Sequence, residues 1–400
     1  MSEKPAVLEA ALAPFVAAGH RVSVVGSHLL LHDVPVVNEH RQIQLGTLVS
    51  TFLYTESAVV APATHQVWFD GPYPCFSNGR PIEDIRCSEV AGGELAPNVP
   101  ARYFFSNKEV GWSAYAYHFD QLMHYWRIIA DQARVIDPNC GRPVTAAGIW
   151  VAPSESPFCY PDACSARGNF GSVSERLAQS KVAIVGLGGT GSYLLDQLAK
   201  TPVREIHLFD GDTFDLHNAF RSPGAAAERE FGCMKVDYYV RMYSSMRRGL
   251  IPHPHYVAEA NVGLLEQFDF VFVCVDRGGA RKLICLALQE QGRPFLDCGM
   301  DLSLSSANEI YGTCRVTMSS PQKSDHFWGR VPTMEDAGDG LYDQNIQISD
   351  ANALNALLAV MRWKQHLNFY AMPKAWHHME FMVGATALAR ADLAEGEHAS

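Results

Sequence analysis

Hydrophobic and polar positions alternate in two different ways along this chain. Up to about residue 155 the apolar segments are short (Arg21 to Leu31, Gly46 to Leu53, Gln66 to Phe69) and are separated by Pro, Asn and Gly. That pattern predicts a small, mostly antiparallel sheet. One longer stretch, His118 to Val135, places Phe119, Leu122, Met123, Tyr125, Trp126, Ile129 and Ala130 at helical spacing, which predicts a helix with one buried face. Val7 to Ala18 is apolar but carries Glu9 and Pro14, and reads as an amphipathic helix rather than a secretory signal. Pro153 to Gly171 is rich in Pro, Ser, Gly and Cys and reads as a connection.

Beyond that connection the pattern changes. Lys181 to Val185 is a β-branched run suited to a buried parallel strand, and a helix from Ser192 to Lys200 is closed by Pro202. Further strands are expected at Glu205 to Phe209, Phe268 to Val275, Arg293 to Cys298 and Asn308 to Met318. A helix is expected over Ile346 to Leu367, with Leu354, Leu357, Leu358 and Met361 on its apolar face. Between them, Ser319 to Leu341 is polar and long for a connection within a compact domain. The expected fold is α/β, a mostly parallel Rossmann-like domain over 173–400. It is preceded by a smaller β-rich α+β domain over 1–155 and a linker over 156–172.

The chemistry concentrates after the first strand of the second domain. Gly186, Gly188, Gly189 and Gly191 read G-x-G-G-x-G between a strand and a helix. Glycines there permit a tight turn and let backbone N–H groups approach phosphate at a helix start. Asp210 ends the next strand, where a carboxylate can accept hydrogen bonds from ribose hydroxyls. These features alone fit a nicotinamide dinucleotide equally well.

The residues that follow separate the two readings. Asp210, Asp212, Asn218 and Arg221 fall in the order D-x-D-x-x-x-x-x-N-x-x-R, and Lys235 ends Gly232-Cys-Met-Lys. Asp276 closes an apolar strand, with Arg281 in the helix after it. Two cations and an amide beside a phosphate loop suit charge developing on a triphosphate during attack at its α-phosphorus, arginine by bidentate contact and lysine as a mobile point charge. A carboxylate at a strand tip suits Mg2+ beside phosphates. Hydride transfer needs neither. Plainer readings stand beside these. Asp212 and Asp215 serve equally as turn formers, Asp276 as a helix N-cap, and Arg281 as the partner of a helix neighbour.

From Val173 to Lys364 the chain resembles the ThiF/MoeB and ubiquitin-activating enzyme superfamily. The resemblance implies ATP and Mg2+ as ligands, with Asp210 on the ribose, Asn218, Arg221 and Lys235 on the phosphates, and Asp276 on Mg2+ and in catalysis. One departure is that Phe220 stands where the family usually has an Asn or Gln. The family's crossover loop corresponds to 319–341 and often carries an acceptor cysteine, but none stands there in this chain. Candidate acceptors are then Cys298 and Cys314, or the hydroxyls of Ser324 and Thr333 with His326 and Asp325 as bases. A route with no covalent enzyme intermediate is the alternative. The family also implies a homodimer with an arginine reaching the partner's ATP, for which Arg167 is the candidate.

The whole arrangement resembles bacterial ThiF-family adenylyltransferases with an extra N-terminal domain, found in operons of ubiquitin-like conjugation. That implies adenylation of the C-terminal glycine carboxylate of a ubiquitin-like protein in the cytoplasm, with a conjugating enzyme downstream. A sulfur-carrier adenylyltransferase, a non-catalytic scaffold for ubiquitin-like proteins and an NAD-dependent oxidoreductase remain the alternatives.

Composition narrows the partners. A formal charge of −11, with Arg247-Arg248 as the best basic cluster, argues against nucleic acid. No apolar run reaches membrane-spanning length. The ten cysteines show no regular pairing and fit reduced thiols. No C-x-x-C occurs and Cys159 and Cys164 make at most half a site, so no structural zinc is expected. His65, Asp70 and Cys75 lie close in sequence but read as a strand and a Gly-Pro turn.

Overall fold

The computed structural model describes residues 6–55, 57–108, 111, 113–141, 149–150, 156–160, 162–168, 170–332 and 346–395. Two compact units divide the chain, Met1–Glu175 and Arg176–Ser400.

The first unit contains α1 (Ala6–Ala17), β1 (Val22–Val25), β2 (His28–Val37), β3 (Ile43–Thr51), β4 (Val67–Asp70), β5 (Arg86–Glu89), β6 (Glu94–Ala96), β7 (Val99–Pro100), β8 (Tyr103–Phe105), α2 (His118–Ile136), β9 (Ile149–Trp150), α3 (Ala163–Gly168) and α4 (Gly171–Ser174). Seven strands form one sheet in the order β5-β8-β4-β3-β2-β1-β9, antiparallel except for the β1–β9 pair. Leu29, Leu31, Val34 and Val36 of β2 share one core with Leu8, Leu12 and Phe15 of α1 and Leu122, Tyr125, Trp126 and Ile129 of α2. The jump in phase between Leu31 and Val34 is a register shift in which Asp33 adopts φ 58°. This extra residue restores the inward direction of the side chains that follow. The helices α3 and α4 occupy part of the stretch expected to be a linker. His65, Asp70 and Cys75 go separate ways: His65 bonds Ser106, Asp70 faces Arg102 at 3.3 Å, and Cys75 is buried.

In the second unit follow β10 (Lys181–Val185), α5 (Gly189–Ala199), β11 (Glu205–Phe209), α6 (Leu216–Ala219), α7 (Lys235–Tyr243), β12 (Leu250–His253), β13 (Phe270–Val273), α8 (Gly278–Glu290), β14 (Phe295–Leu304), β15 (Ile310–Ser319), α9 (Ser349–His366), β16 (Lys374–Met382) and β17 (Ala387–Glu395). The eight strands run β12-β11-β10-β13-β14-β15-β16-β17. Those from β12 to β14 pair in parallel and those from β14 to β17 antiparallel.

Both faces of the parallel half are covered, which is why its strands read as continuous apolar runs. Val182, Ile184 and Phe272 pack on one side with Leu194, Leu198 and Trp363, while Ala183, Val185 and Val271 pack on the other with Ile284 and Leu288. Each buried valine, leucine, isoleucine or phenylalanine among them contributes roughly 1.5–3 kcal/mol of transfer free energy.

The helix α9 differs from expectation in the face it buries. Leu357 and Met361 are exposed, and Asn352, Asn355, Ala356, Ala359 and Trp363 are buried. Ala356 and Ala359 pack among Leu194, Leu195 and Leu198 of α5, and alanines there let two helices approach closely. No helix among the described residues is long and apolar enough to cross a membrane.

Candidate active site

A cavity of about 610 Å3 opens at the C-terminal ends of the parallel strands, where α/β sheets bind their ligands. The reversal of strand order around β10 places the loop after this strand at its centre. Of the residues expected to bind or react, Gly186, Gly188, Gly189, Asp210, Asp212, Asn218, Arg221, Lys235 and Asp276 all line it.

The loop geometry follows from its glycines. Gly186 has φ +94°, and a Cβ there would stand 2.7 Å from the carbonyl oxygen of Cys274. Gly191 is not on the cavity wall. A Cβ on it would lie 1.9 Å from the Gly186 carbonyl oxygen, so its role is to let α5 close against the loop. The helix begins at Gly189, three residues earlier than its apolar pattern suggests, so its first-turn N–H groups belong to the loop. From α9, Asn352 accepts from Thr190 Oγ1 at 3.0 Å, and Asn355 donates to the Gly299 carbonyl at 3.0 Å. These two buried amides tie the loop and the β14 wall to one helix.

Asp210 is buried at the tip of β11. Its Oδ2 accepts from Leu187 N at 2.6 Å and its Oδ1 from Asp212 N at 2.8 Å. Burial pushes its carboxyl up, against the opposing charge of Lys235. Lys235 starts α7 and is buried, an unfavourable place for a cation at a helix N-terminus. The Thr213–Met234 bridge brings it to carboxylates instead: Nζ donates to Asp212 Oδ2 at 2.7 Å and lies 3.7 Å from Asp210 Oδ1. For Asp212, partial burial acts upward, but hydrogen bonds from Lys235 and Tyr256 and the charges of Lys235 and Arg277 hold its carboxyl below the usual range.

Asn218 and Arg221 come from α6 and the turn after it. Asn218 Oδ1 accepts from Asp215 N at 2.8 Å, which leaves its buried Nδ2 without a partner, and the Arg221 Nε is likewise buried and unpaired. Such orphan donors are uncommon and call for a ligand or water. Phe220, between them, is 78% exposed. Asp276 is exposed on the cavity wall and makes no ion pair or hydrogen bond among the described residues. The N-cap of α8 is Arg277, not Asp276.

The cavity wall also holds residues that sequence reasoning passed over: Thr190, His217, Tyr256, Arg277 and Gln347. Arg281 does not pair with a helix neighbour. It donates to Asp297 Oδ1 at 3.0 Å and to the Val275 carbonyl at 2.6 Å, and Arg315 meets Asp297 Oδ2 at 2.8 Å. Asp297 is fully buried between two arginines from different elements. Nothing local in the sequence marks that triad.

The candidate acceptors scatter. Cys298 lines the cavity but is buried, and its hydrogen bond with Cys274 together with burial drives its thiol well up. Cys314 is buried beside Ala351 with its thiol pushed up to about 11 by burial. Ser324 is exposed and away from the cavity wall. His326 is buried with Nε2 against the Met318 carbonyl at 3.0 Å, and burial lowers its pKa. Thr333 and the rest of the expected loop beyond residue 332 lie outside the described residues. Arg167 is on α3 of the first unit, and its side chain also lies outside them.

Fold and site together define an α/β domain whose glycine loop opens on a cavity lined also by a lysine, an arginine and a strand-tip carboxylate. Residues 166–340 match the ThiF family, and residues 10–163 match a domain of unknown function (DUF6791). The chain is 27% identical over 131 residues to SUMO-activating enzyme subunit uba-2 of Caenorhabditis elegans, covering 31% of this chain and 22% of that protein. It is 30% identical over 154 residues to adenylyltransferase and sulfurtransferase uba4 of Emericella nidulans (37% and 30%). It is 29% identical over 139 residues to ubiquitin-like modifier-activating enzyme 5 of Gallus gallus (32% and 35%). It thus spans about a fifth to a third of these relatives. Among solved structures, Escherichia coli MccB aligns with a TM-score of 0.45 and 15% identity over 57% of this chain and 66% of that one. PaaA aligns with a TM-score of 0.44 and 17% identity over 56% and 70%.

Proposed function

We propose that this protein uses ATP to adenylate a carboxylate, the C-terminal glycine carboxylate of a ubiquitin-like protein. The observation that carries the reading is the convergence of Lys235, Arg221, Asn218 and Asp276 on one cavity around the glycine loop. Relatives named as activating enzymes for SUMO and ubiquitin-like modifiers support the same class of substrate.

The site fits a triphosphate. A Cβ on Gly188 would meet no protein atom within 4 Å, so that space belongs to the cavity, and Asn218 and Arg221 carry unpaired donors beside it. In the reaction a carboxylate oxygen attacks the α-phosphorus, the bond to the bridging oxygen breaks, and pyrophosphate leaves. Lys235 and Arg221 stabilise charge on the phosphate oxygens, and Asp210 orients the ribose. Asp276 is the carboxylate available to Mg2+, whose contribution when bound is Lewis-acid neutralisation of phosphate charge. Mg2+ typically takes one or two protein carboxylates and completes its shell with phosphates and water, so one free aspartate suffices.

Homodimerisation, delivery to a conjugating enzyme and a cytoplasmic location belong to the same proposal, as does a partner-binding role for the first unit. A sulfur-carrier substrate is the second reading, favoured by the relative named adenylyltransferase and sulfurtransferase. ATP–pyrophosphate exchange with candidate carrier proteins tests both. Exchange that requires the carrier's terminal glycine and is abolished in Asp276→Ala supports carboxylate adenylation. ATP binding without exchange in the presence of any carrier refutes it and favours a scaffold.

A further inference from the structure

We propose that Tyr256 is the platform on which the base of the nucleotide stacks, an inference that rests on the ATP reading above and extends it to how the base is held. Tyr256 follows β12 and lines the cavity with 57% of its surface exposed. An exposed tyrosine is ordinarily free to swing, but this one is fixed at both ends. A Cβ built on Gly211 would stand 2.8, 2.9 and 3.0 Å from Cε2, Cδ2 and Cγ of the ring. Three consecutive ring atoms at nearly equal distance put that point over the face of the ring, not beyond its edge. One face of Tyr256 therefore rests on the Gly211 backbone, and any side chain at 211 would push the ring away. At the far end the hydroxyl donates to Asp212 Oδ1. The ring is clamped flat between two consecutive residues of the β11–α6 loop.

Its position matches what a base requires. Gly211 directly follows Asp210, the carboxylate on the ribose in the proposed function, and a base is joined to the ribose. Arg277 lines the same cavity and acts electrostatically on both Tyr256 and Asp212, so a cation stands near the same ring. Stacking on an aromatic face tolerates any base but scales with its area, so purine triphosphates bind more tightly than pyrimidine ones. The phosphate end, held by Lys235 and Arg221, is indifferent to the base.

Calorimetric titration of the full chain with MgATP, MgCTP and inorganic tripolyphosphate tests this. Tyr256→Ala is expected to weaken MgATP about tenfold or more, to leave tripolyphosphate unchanged, and to narrow the preference for ATP over CTP. Tyr256→Phe, which keeps the ring, recovers most of the loss. Unchanged ATP affinity in Tyr256→Ala overturns the inference while leaving the ATP site standing. An equal loss of tripolyphosphate, or a Tyr256→Phe variant as weak as Tyr256→Ala, also overturns it, because the residue would then act on the phosphate end or through Asp212. A wild-type chain that binds tripolyphosphate but gains nothing from the base refutes the platform. One that binds neither ligand refutes the nucleotide reading itself.

Discussion

Lys235 Nζ stands 2.7 Å from Asp212 and 3.7 Å from Asp210, so this buried lysine on the cavity wall is held by two carboxylates. In the proposed reaction a phosphate would compete with Asp212 for this ammonium, and their attraction would be worth most where charge develops. Lys235→Met is expected to lower pyrophosphate exchange by about 100-fold or more while changing ATP affinity much less. Loss of affinity with unchanged turnover would contradict a role in the chemical step.

Asp276 is exposed and unpaired among the described residues, so its removal leaves no buried group without a partner. Asp276→Ala is expected to keep thermal stability within about 0.5 kcal/mol and to lose exchange. A large drop in melting temperature would assign it a structural role instead.

Asp297 is fully buried against Arg281 and Arg315, 3.0 and 2.8 Å away. Asp297→Ala leaves two buried cations uncompensated and should cost about 3–5 kcal/mol in urea denaturation. In the triple variant that also replaces both arginines with methionine, the loss should be smaller. If the triple variant loses as much as the sum of its parts, the three residues do not act as one unit.

Burial lowers His28 in the first unit and His377 in the second to about 4. Both stay neutral in the native state while the unfolded chain takes up protons near the ordinary value of 6.5. The unfolded state thus binds more protons between those two values, and stability falls as pH is lowered through that window. Each histidine adds at most about 1.4 kcal/mol per pH unit. Denaturation midpoints measured from neutral pH to about pH 4.5 should decline, less steeply in His28→Gln and His377→Gln. A flat profile in the wild type would exclude the effect.

Cys298 and Cys314 are buried and their thiols are driven upward, which leaves little thiolate at neutral pH. Any enzyme–carrier adduct trapped during turnover is therefore expected to resist thiols and to survive the double substitution to alanine. An adduct cleaved by thiols and absent from that variant would restore the cysteine route.

Much of the site is legible in the sequence, because its residues follow local rules. The G-x-G-G-x-G run reads directly because strand, turn and helix start are consecutive in the chain, as does Asp210 at its strand tip. Asn218, Arg221 and Lys235 read from their order. The buried face of α9 does not, since Leu357 and Met361 carry the stronger apolar signal yet face outward. Close packing on α5 selects small residues, and hydrophobic strength does not report closeness of approach.

By itself the sequence determined the strand, glycine loop and helix that follow one another from Lys181, and the place of Asp210 at the end of its strand, since each depends on neighbours within a few residues. Tertiary structure decided which distant groups meet. It placed Tyr256 on Gly211, Asn352 and Asn355 under the loop and the β14 wall, and Asp297 between Arg281 and Arg315. The physical reason is separation along the chain: these contacts join segments 16 to 162 residues apart, and only the register of the sheet and the packing of α9 bring them together.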